Sequence, residues 1–212
     1  MVPDLTCLSF DEAGRGALAG PVAISCVSFS LPTIQKIQKN EILLGIRDSK
    51  ILGLEKRRSL RAEILKHADY SKTVLVSQKF IDTYNINQAI FYGINRLIPE
   101  TITSKQRQKF LLLVDGNYTV KIKKEILGIQ SIPKGDDLIP SISAASILAK
   151  TTRDEFMERM DHKFPVYGFA THKGYGTEMH RNALEKHGLS SVHRLSFCGF
   201  LRQNEGGPHL FS

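Results

Sequence analysis

Short apolar segments alternate with longer amphipathic ones along this 212-residue chain. Leu5–Phe10 and Val22–Phe29 are short and partly β-branched, which predicts two strands joined by the glycine-rich stretch 11–21. Phe110–Val114 is apolar at every position and is followed by Asp-Gly, a pattern typical of a central strand covered on both faces. Two weaker segments of the same kind predict further strands, at Lys72–Ser77 and Ile126–Ile132.

Helical periodicity marks much of the remaining chain. Apolar residues spaced by four predict a helix over Leu54–Ala68, and Asn85 is a suitable N-cap for a second helix that follows it. A long helix is predicted from about Ser141 to Asp161, and a short one near Glu178–His187.

The order of these elements predicts an α/β fold with a mixed β-sheet flanked by helices. No linker or repeat divides the chain, so we expect a single domain over 1–212, with about 163–212 as a C-terminal helical extension. The first ten residues lack the basic start of a signal peptide, and no apolar run approaches ~18 residues. We therefore expect no membrane span and a cytoplasmic location.

The net charge of the chain bears on the kind of molecule that it binds. Lys and Arg outnumber Asp and Glu by 29 to 21, which gives a net charge of +8. A surplus of this size suits a polyanion such as nucleic acid, although a basic protein that is simply soluble has the same composition. Three cysteines do not make a disulfide framework, and Cys7 and Cys26, in strand-like segments, are expected to be buried.

Two adjacent acids, Asp11 and Glu12, end the first predicted strand and are followed at once by Gly14-Arg15-Gly16. Paired carboxylates beside an apolar strand repel each other unless a cation lies between them, and Mg²⁺ or Mn²⁺ prefers such oxygen ligands. The glycines allow backbone N–H groups to approach a phosphate or sugar closely. A solvated turn with an Asp–Arg surface pair is the plain alternative.

The same stretch also matches the G-x-G-x-x-A fingerprint of dinucleotide-binding proteins through Gly14, Gly16 and Ala19. Gly20 and Pro21 disfavour the helix that this fingerprint requires, and the next segment is a predicted strand. Two carboxylates beside a pyrophosphate are also electrostatically unfavourable. We therefore reject a dinucleotide site.

A third acid, Asp115, follows the most apolar predicted strand. Ligand sites in α/β sheets lie beyond the carboxyl ends of strands, so Asp115 is a site candidate, and an ordinary Asp-Gly turn is the alternative. If the strand 110–114 lies parallel to the strand 5–10, Asp115 and Asp11 end at the same edge of the sheet.

The long helix offers a fourth acid without choosing one. Its apolar stripe is predicted to comprise Ala145, Ala149, Thr152, Phe156 and Met160. Asp154 falls opposite that stripe and is predicted to face solvent. Periodicity does not select among Asp154, Glu155, Glu158 and Asp161.

The segment Thr171–Gly176 places Tyr175 between two glycines, with Lys173 nearby. An exposed tyrosine on a flexible backbone can stack on a sugar or base, and a lysine can meet phosphate, whereas an ordinary loop with a packed tyrosine is the alternative. The histidines of this region lack the cysteine partners and spacing of a zinc site.

Together these segments resemble the bacterial type 2 ribonucleases H, or ribonuclease HII. The similarity extends over nearly the whole chain, and its motifs are highly specific as a set although each is weak alone. They are Phe10-Asp-Glu-Ala-Gly-Arg-Gly-Ala-Leu-Ala-Gly-Pro-Val22, Asp48-Ser-Lys50, Asn85-Ile-Asn-Gln-Ala89, Val114-Asp-Gly-Asn117, Ala144-Ala-Ser-Ile-Leu-Ala-Lys150 with Arg153-Asp154, His172-Lys-Gly-Tyr-Gly-Thr177 and His193-Arg-Leu-Ser-Phe197.

The resemblance implies a ribonuclease H-like fold and a site of four carboxylates that bind Mn²⁺ or Mg²⁺; by motif these are Asp11, Glu12, Asp115 and Asp154. It assigns the reading of the 2′-hydroxyl at an RNA–DNA junction to Gly14, Arg15 and Gly16, with Tyr175 against the neighbouring sugar. It places Lys50, Asn85 and Lys173 near the substrate backbone. Ala17 departs from the family, which usually has proline there, and the loop is expected to be slightly more mobile for it.

The implied activity is endonucleolytic hydrolysis of RNA in RNA–DNA hybrids, and cleavage 5′ of ribonucleotides embedded in duplex DNA. Two metal ions would assist it, giving 3′-hydroxyl and 5′-phosphate ends, and we expect a monomer. Two alternatives stay open: another nuclease on a related fold, and a non-catalytic basic nucleic-acid-binding protein.

Overall fold

The computed structural model describes residues 6–46, 53–99, 110–117, 119–123 and 126–202. Five strands are found in these ranges: β1 (Thr6–Ala13), β2 (Val22–Ser28), β3 (Tyr70–Val76), β4 (Phe110–Asp115) and β5 (Gly128–Ile132). The helices there are α1 (Leu31–Gln38), α2 (Leu54–His67), α3 (Gln78–Tyr84), α4 (Ile86–Leu97), α5 (Gly135–Leu138), α6 (Pro140–Lys163), α7 (Phe169–His172) and α8 (Glu178–His187). Short 3₁₀ turns lie at Pro165–Tyr167, Leu195–Phe197 and Gly199–Arg202.

The strands form one mixed sheet in the order β3-β2-β1-β4-β5. β1 pairs antiparallel with β2, and β2 antiparallel with β3. On the other side, β1 pairs parallel with β4, and β4 parallel with β5. The predicted mixed sheet is confirmed. The first strand lies parallel to the 110–114 strand, which is the condition under which Asp115 and Asp11 were expected at one edge.

Helices cover both faces of this sheet. One face packs on α4 through Ala89, Ile90 and Ile94, in a cluster that also holds Phe10 and Leu112. The opposite face packs on α1, α2 and the first half of α6, in a second apolar cluster. The central strands are therefore buried on both sides, which explains why β2 is buried at every position.

The predicted elements lie close to the observed ones, with two differences that matter for the site. β1 does not stop before the acids: it continues through Asp11 and Glu12 to Ala13, because β2 still pairs with it there. Of the two cysteines that we expected in the core, Cys26 is buried, whereas Cys7 is only half-buried.

The predicted stripe of α6 holds only in the first half of the helix. Residues 141–149 are buried on all sides, and the buried positions that follow include Arg153 and Met157, whereas Phe156 and Met160 are only partly buried. The face changes because the second half of α6 leaves the sheet and packs on the C-terminal segment, where Met157 joins Tyr167, Phe169 and Leu184 in a third apolar cluster.

Candidate active site

Asp11 and Glu12 lie in register on β1, opposite Ser25 and Ile24 of β2. Neighbouring strand residues point to opposite faces, and the two acids accordingly differ in exposure: Asp11 is buried and Glu12 is half-buried. The Asp11 carboxylate turns back to accept a hydrogen bond of 2.7 Å from the backbone N–H of Glu12. Glu12 forms an ion pair of 3.5 Å with Arg15, which comes just after the strand.

Asp115 ends β4 at the same edge of the sheet. Because β4 is parallel to β1 and Val114 pairs with Phe10, Asp115 and Asp11 are the next residues along two adjacent strands. Its carboxylate accepts a hydrogen bond of 2.6 Å from the backbone N–H of Gly135 at the start of α5. A Cβ at position 135 would lie 3.3 Å from the Asp115 oxygen and 2.7 Å from a methyl group of Ile142, so glycine allows this close approach.

The buried position of Asp11 and the charges at this edge raise its pKa to about 8. Burial is the main cause, and repulsion from Glu12 and, more weakly, from Asp115 adds to it. The Ser146 hydroxyl of α6 and the Glu12 amide lower the pKa but do not offset these effects. Asp11, Glu12 and Asp115 are thus close enough to repel one another.

This arrangement suits a divalent cation, although no group of three or more acidic, histidine or cysteine side chains in the described ranges is arranged to hold one as it stands. Mutual repulsion of three carboxylates is the condition that a hard cation with oxygen ligands relieves. The buried Ser146 hydroxyl beside Asp11 also lacks a partner in good hydrogen-bonding geometry in this part of the chain. The donor set therefore fits Mg²⁺ or Mn²⁺.

Asp154 lies on α6 and is not brought into the same cluster. Its carboxylate is 3.6 Å from the Arg57 guanidinium on α2, with a side chain only 20% exposed, so the prediction that it faces solvent is wrong. Burial raises its pKa, while the charges of Lys173, Arg57 and Arg153 oppose the shift. Its metal role remains a prediction.

Residues 14–21, here called the glycine-rich loop, follow β1. Gly14 has φ of +91°, and a Cβ there would lie 1.9 Å from the Arg153 Nε. Gly16 is exposed and would have nothing within 4 Å of a Cβ. Arg15 donates a hydrogen bond of 2.7 Å to the Asn87 side chain of α4. The Ala17 N–H donates to Gly14 O at 3.4 Å, a bond that a proline at this position would lack.

Residues 173–177, here called the tyrosine loop, lie against the glycine-rich loop. Leu18 N–H and Ala19 N–H both donate to Gly174 O, at 2.8 and 3.2 Å. Tyr175 is 43% exposed, so one side of the ring is open to a ligand. The Lys173 ammonium group is held by Glu158 at 2.9 Å.

Of the two remaining residues that were predicted to contact substrate, Asn85 lies within the described residues and Lys50 does not. Asn85 is exposed and caps α4 by accepting a hydrogen bond of 3.1 Å from Gln88 N–H. Its backbone has φ of +70°, and its own N–H ends α3 by donating to Ile81 O at 2.8 Å. Lys50 lies outside the described residues.

Sequence patterns missed two buried arginines and a buried histidine pair at this site. Arg153 and Arg194 are 1% and 0% exposed. His180 and His193 are buried with their Nε2 atoms 3.0 Å apart. Arginine and histidine are usually surface residues, and the only signal in the sequence was that each falls inside or beside a motif of the ribonuclease HII resemblance.

The comparisons with known proteins agree with this geometry. The family described as Ribonuclease HII matches residues 8–200. Ribonuclease HII of Nitrosomonas europaea is 39% identical over 202 residues, which cover 95% of this chain and 87% of that protein. Ribonuclease HII of Nitrosospira multiformis is 42% identical over 188 residues, which cover 89% of this chain and 87% of that protein.

Solved structures show the same fold. Ribonuclease H2 from Pyrococcus horikoshii has a TM-score of 0.72 at 23% identity and covers 94% of this chain and 100% of its own. Ribonuclease HII in the PCNA:RNase HII complex from Archaeoglobus fulgidus has a TM-score of 0.72 at 25% identity, covering 90% and 94%. None of the helices in the described ranges is long and apolar enough to cross a membrane. The mixed sheet, the acids at its edge and the relatives together show that the chain belongs to the ribonuclease HII family of metal-dependent endoribonucleases, which hydrolyse the RNA of RNA–DNA hybrids.

Proposed function

We propose that this protein cuts both long RNA–DNA hybrids and single ribonucleotides embedded in duplex DNA, 5′ of the ribonucleotide, leaving 3′-hydroxyl and 5′-phosphate ends. The observation that carries the proposal is the convergence of Asp11, Glu12 and Asp115 at one sheet edge, close enough for their charges to act on Asp11. Carboxylates that repel one another favour the binding of divalent cations, and bound cations can assist phosphodiester hydrolysis.

Asp11, Glu12, Asp115 and Asp154 would hold the cations. Bound Mg²⁺ or Mn²⁺ supplies activation of a water molecule and stabilisation of the leaving 3′-oxygen. The protein fixes the carboxylates in place: the amide of Gly135 orients Asp115, and the Glu12 amide and Ser146 face Asp11. Arg57 of α2 forms an ion pair with Asp154 and restrains its carboxylate.

The glycine-rich loop and the tyrosine loop would read the ribonucleotide. Gly14, Arg15 and Gly16 lie beside Glu12, and the open space around Gly16 lets its backbone approach a 2′-hydroxyl, the group that distinguishes RNA from DNA. The half-exposed Tyr175 ring faces outward from the adjoining loop, where it can pack on the neighbouring sugar. Lys50, Asn85 and Lys173 complete the proposed contacts to the substrate backbone.

The test is cleavage of a DNA duplex that carries one ribonucleotide, with Mg²⁺, Mn²⁺ or EDTA. We expect one cut 5′ of the ribonucleotide with either metal and none with EDTA. Asp11→Asn removes a metal ligand and keeps the basic surface, so we expect a loss of roughly 10²-fold or more in kcat with nearly unchanged duplex binding. Products are read on a sequencing gel, and binding by fluorescence anisotropy.

Asp161→Asn, on the same helix as Asp154, is the matched control and should keep wild-type turnover. Cleavage that persists in EDTA, or an Asp11→Asn variant with normal turnover, would contradict the metal role. Binding without any metal-dependent cleavage would favour the alternative of a non-catalytic nucleic-acid binder, for which the net charge of +8 is sufficient. Sedimentation should show a monomer, and the proposed place of action is the cytoplasm.

A further inference from the structure

Two buried arginines lie beneath the glycine-rich loop and the tyrosine loop. Arg153 is on α6, next to Asp154, and Arg194 precedes the 3₁₀ turn at Leu195–Phe197. Neither forms an ion pair with a carboxylate in the described part of the chain. Arg153 donates to backbone carbonyl groups of both loops instead, and Arg194 to carbonyl groups of the glycine-rich loop.

Arg153 joins the two loops directly. Its guanidinium donates to Pro21 O at 3.0 Å and to Ala19 O at 3.0 Å in the glycine-rich loop, and to Lys173 O at 2.8 Å in the tyrosine loop. The Tyr175 ring lies over the same guanidinium, 5.1 Å from its carbon to the ring centre. One side chain thus sets the position of the tyrosine relative to the loop that follows β1.

Arg194 joins the two ends of the glycine-rich loop. It donates to Gly20 O at 2.9 Å and to Arg15 O at 3.0 Å, and its guanidinium lies 5.2 Å from the centre of the Phe197 ring. The carbonyl of Arg15 lies between Gly14 and Gly16, the residues proposed to face the 2′-hydroxyl. Arg194 therefore holds the backbone between the two glycines that are proposed to contact the 2′-hydroxyl.

These arginines are costly in stability terms. Burial, followed by repulsion from Arg153, lowers the pKa of Arg194 to about 9, and its Nη2 has no hydrogen-bond partner in the described ranges. A buried charge without a counter-ion is destabilising compared with an apolar residue of similar volume. A guanidinium group can donate to several carbonyl oxygens at once, which an apolar residue cannot do. These arginines therefore hold the loops in place although their burial lowers the stability of the fold.

We propose that Arg153 and Arg194 are positioning residues for substrate specificity: they lock the glycine-rich loop and the tyrosine loop in the one relative placement that reads a single ribonucleotide. The inference rests on the proposed function. A duplex with one ribonucleotide offers one sugar for recognition, whereas a long hybrid offers a 2′-hydroxyl in every register. Loosening the two loops therefore weakens cleavage of the single-ribonucleotide duplex more than cleavage of the long hybrid.

The experiment compares Arg153→Lys and Arg194→Lys with wild type on both substrates. Lysine keeps the charge and the aliphatic stem but cannot bridge the same carbonyl groups. We expect kcat/KM on the single-ribonucleotide duplex to fall about tenfold or more relative to kcat/KM on the hybrid. Arg159→Lys changes an exposed arginine of the same helix and should leave the ratio unchanged. Melting temperatures are measured for every variant, and the assays are run below them.

The possible results distinguish the proposed function from the positioning role of the two arginines. Failure of the wild-type protein to cut a single embedded ribonucleotide contradicts the proposed function itself. If the wild type cuts it and the lysine variants keep the wild-type ratio, or lose both activities in proportion to the folded fraction, the arginines are structural and the inference is overturned. A second route is Gly14→Ala, whose Cβ would displace the Arg153 Nε without removing it, and which should change the ratio in the same direction.

Discussion

Gly14 and Gly16 stand two residues apart in one motif, yet the structure requires glycine only at the first of them. Gly14 is buried, has a positive φ and leaves room for the Arg153 guanidinium. Gly16 is exposed and has no neighbour that a Cβ would meet. The first glycine therefore serves the internal packing of the site, and the second serves the approach of the substrate.

This difference predicts separable effects of two substitutions. Gly14→Ala should lower the free energy of unfolding by about 2 kcal/mol or more, because a methyl group there meets buried guanidinium atoms in a strained backbone. Gly16→Ala should leave stability within about 0.5 kcal/mol of wild type and raise KM for the single-ribonucleotide duplex. Urea unfolding and steady-state kinetics measure the two effects. Equal stability of both variants would refute the packing role of Gly14.

At the scale of the element, Asn85 shows how one residue ends one helix and starts the next. Its N–H closes α3 on Ile81 O, and its side chain caps α4 at Gln88 N–H. With φ of +70° and ψ of 169°, its backbone lies in a region that glycine populates and that other residues adopt only with strain. The sequence pattern predicted this cap because asparagine followed by an amphipathic segment is a local signal.

Two substitutions separate the cap from the proposed substrate contact of Asn85. Asn85→Gly loses the side-chain cap but relieves the backbone strain, so it should cost only a few tenths of a kcal/mol, whereas Asn85→Ala loses the cap without that relief and should cost about 1 kcal/mol or more. If the side chain also contacts the substrate, both variants raise KM to the same extent. Thermal unfolding and KM values check this, and an alanine variant as stable as the glycine variant would show that the backbone at Asn85 is not strained.

For the molecule as a whole, the buried histidine pair determines how stability depends on pH. His180 Nδ1 donates to Tyr175 O at 2.9 Å, and His193 Nδ1 accepts from Ser190 N–H at 2.9 Å, so both rings are neutral and His193 Nε2 donates to His180 Nε2. Burial lowers the pKa of both side chains to about 4. The hydrogen bond from His180 to Tyr175 O thereby connects the histidine pair to the tyrosine loop.

Because these pKa values are below the unfolded value of about 6.5, the unfolded chain binds more protons between the two pH values. The stabilisation is fully present above about pH 6.5 and is lost as the pH falls toward 4; these pKa values correspond to roughly 3 kcal/mol for each histidine. In His193→Gln the free energy of unfolding should change less with pH between about 6.5 and 4. The control His162→Gln changes an exposed histidine and should keep the wild-type pH dependence. The midpoint of urea unfolding is measured at several pH values between neutral and acid. The same pH dependence in all three proteins would exclude the histidine pair as the cause of the lost stability.

The sequence by itself determined the elements and one edge of the site. The spacing of apolar residues and the helix caps predicted most of the strands and helices. They also indicated that Asp11 and Asp115 would meet at one edge of the sheet if their strands were parallel neighbours. These features depend on residues close together in the chain, which is why a linear pattern contains them. The assignment of Asp154 came from resemblance, since the helical periodicity indicated the solvent side.

Only the tertiary structure decided what surrounds those acids. β1 continues through Asp11 and Glu12 because β2 pairs with them, and Asp154 is covered because Arg57 of another helix reaches it. Arg153 and Arg194 are buried because carbonyl groups 132 and 179 positions away in the chain accept hydrogen bonds from them. The burial of a charged side chain depends on partners that no local pattern contains, so folding alone brings them together.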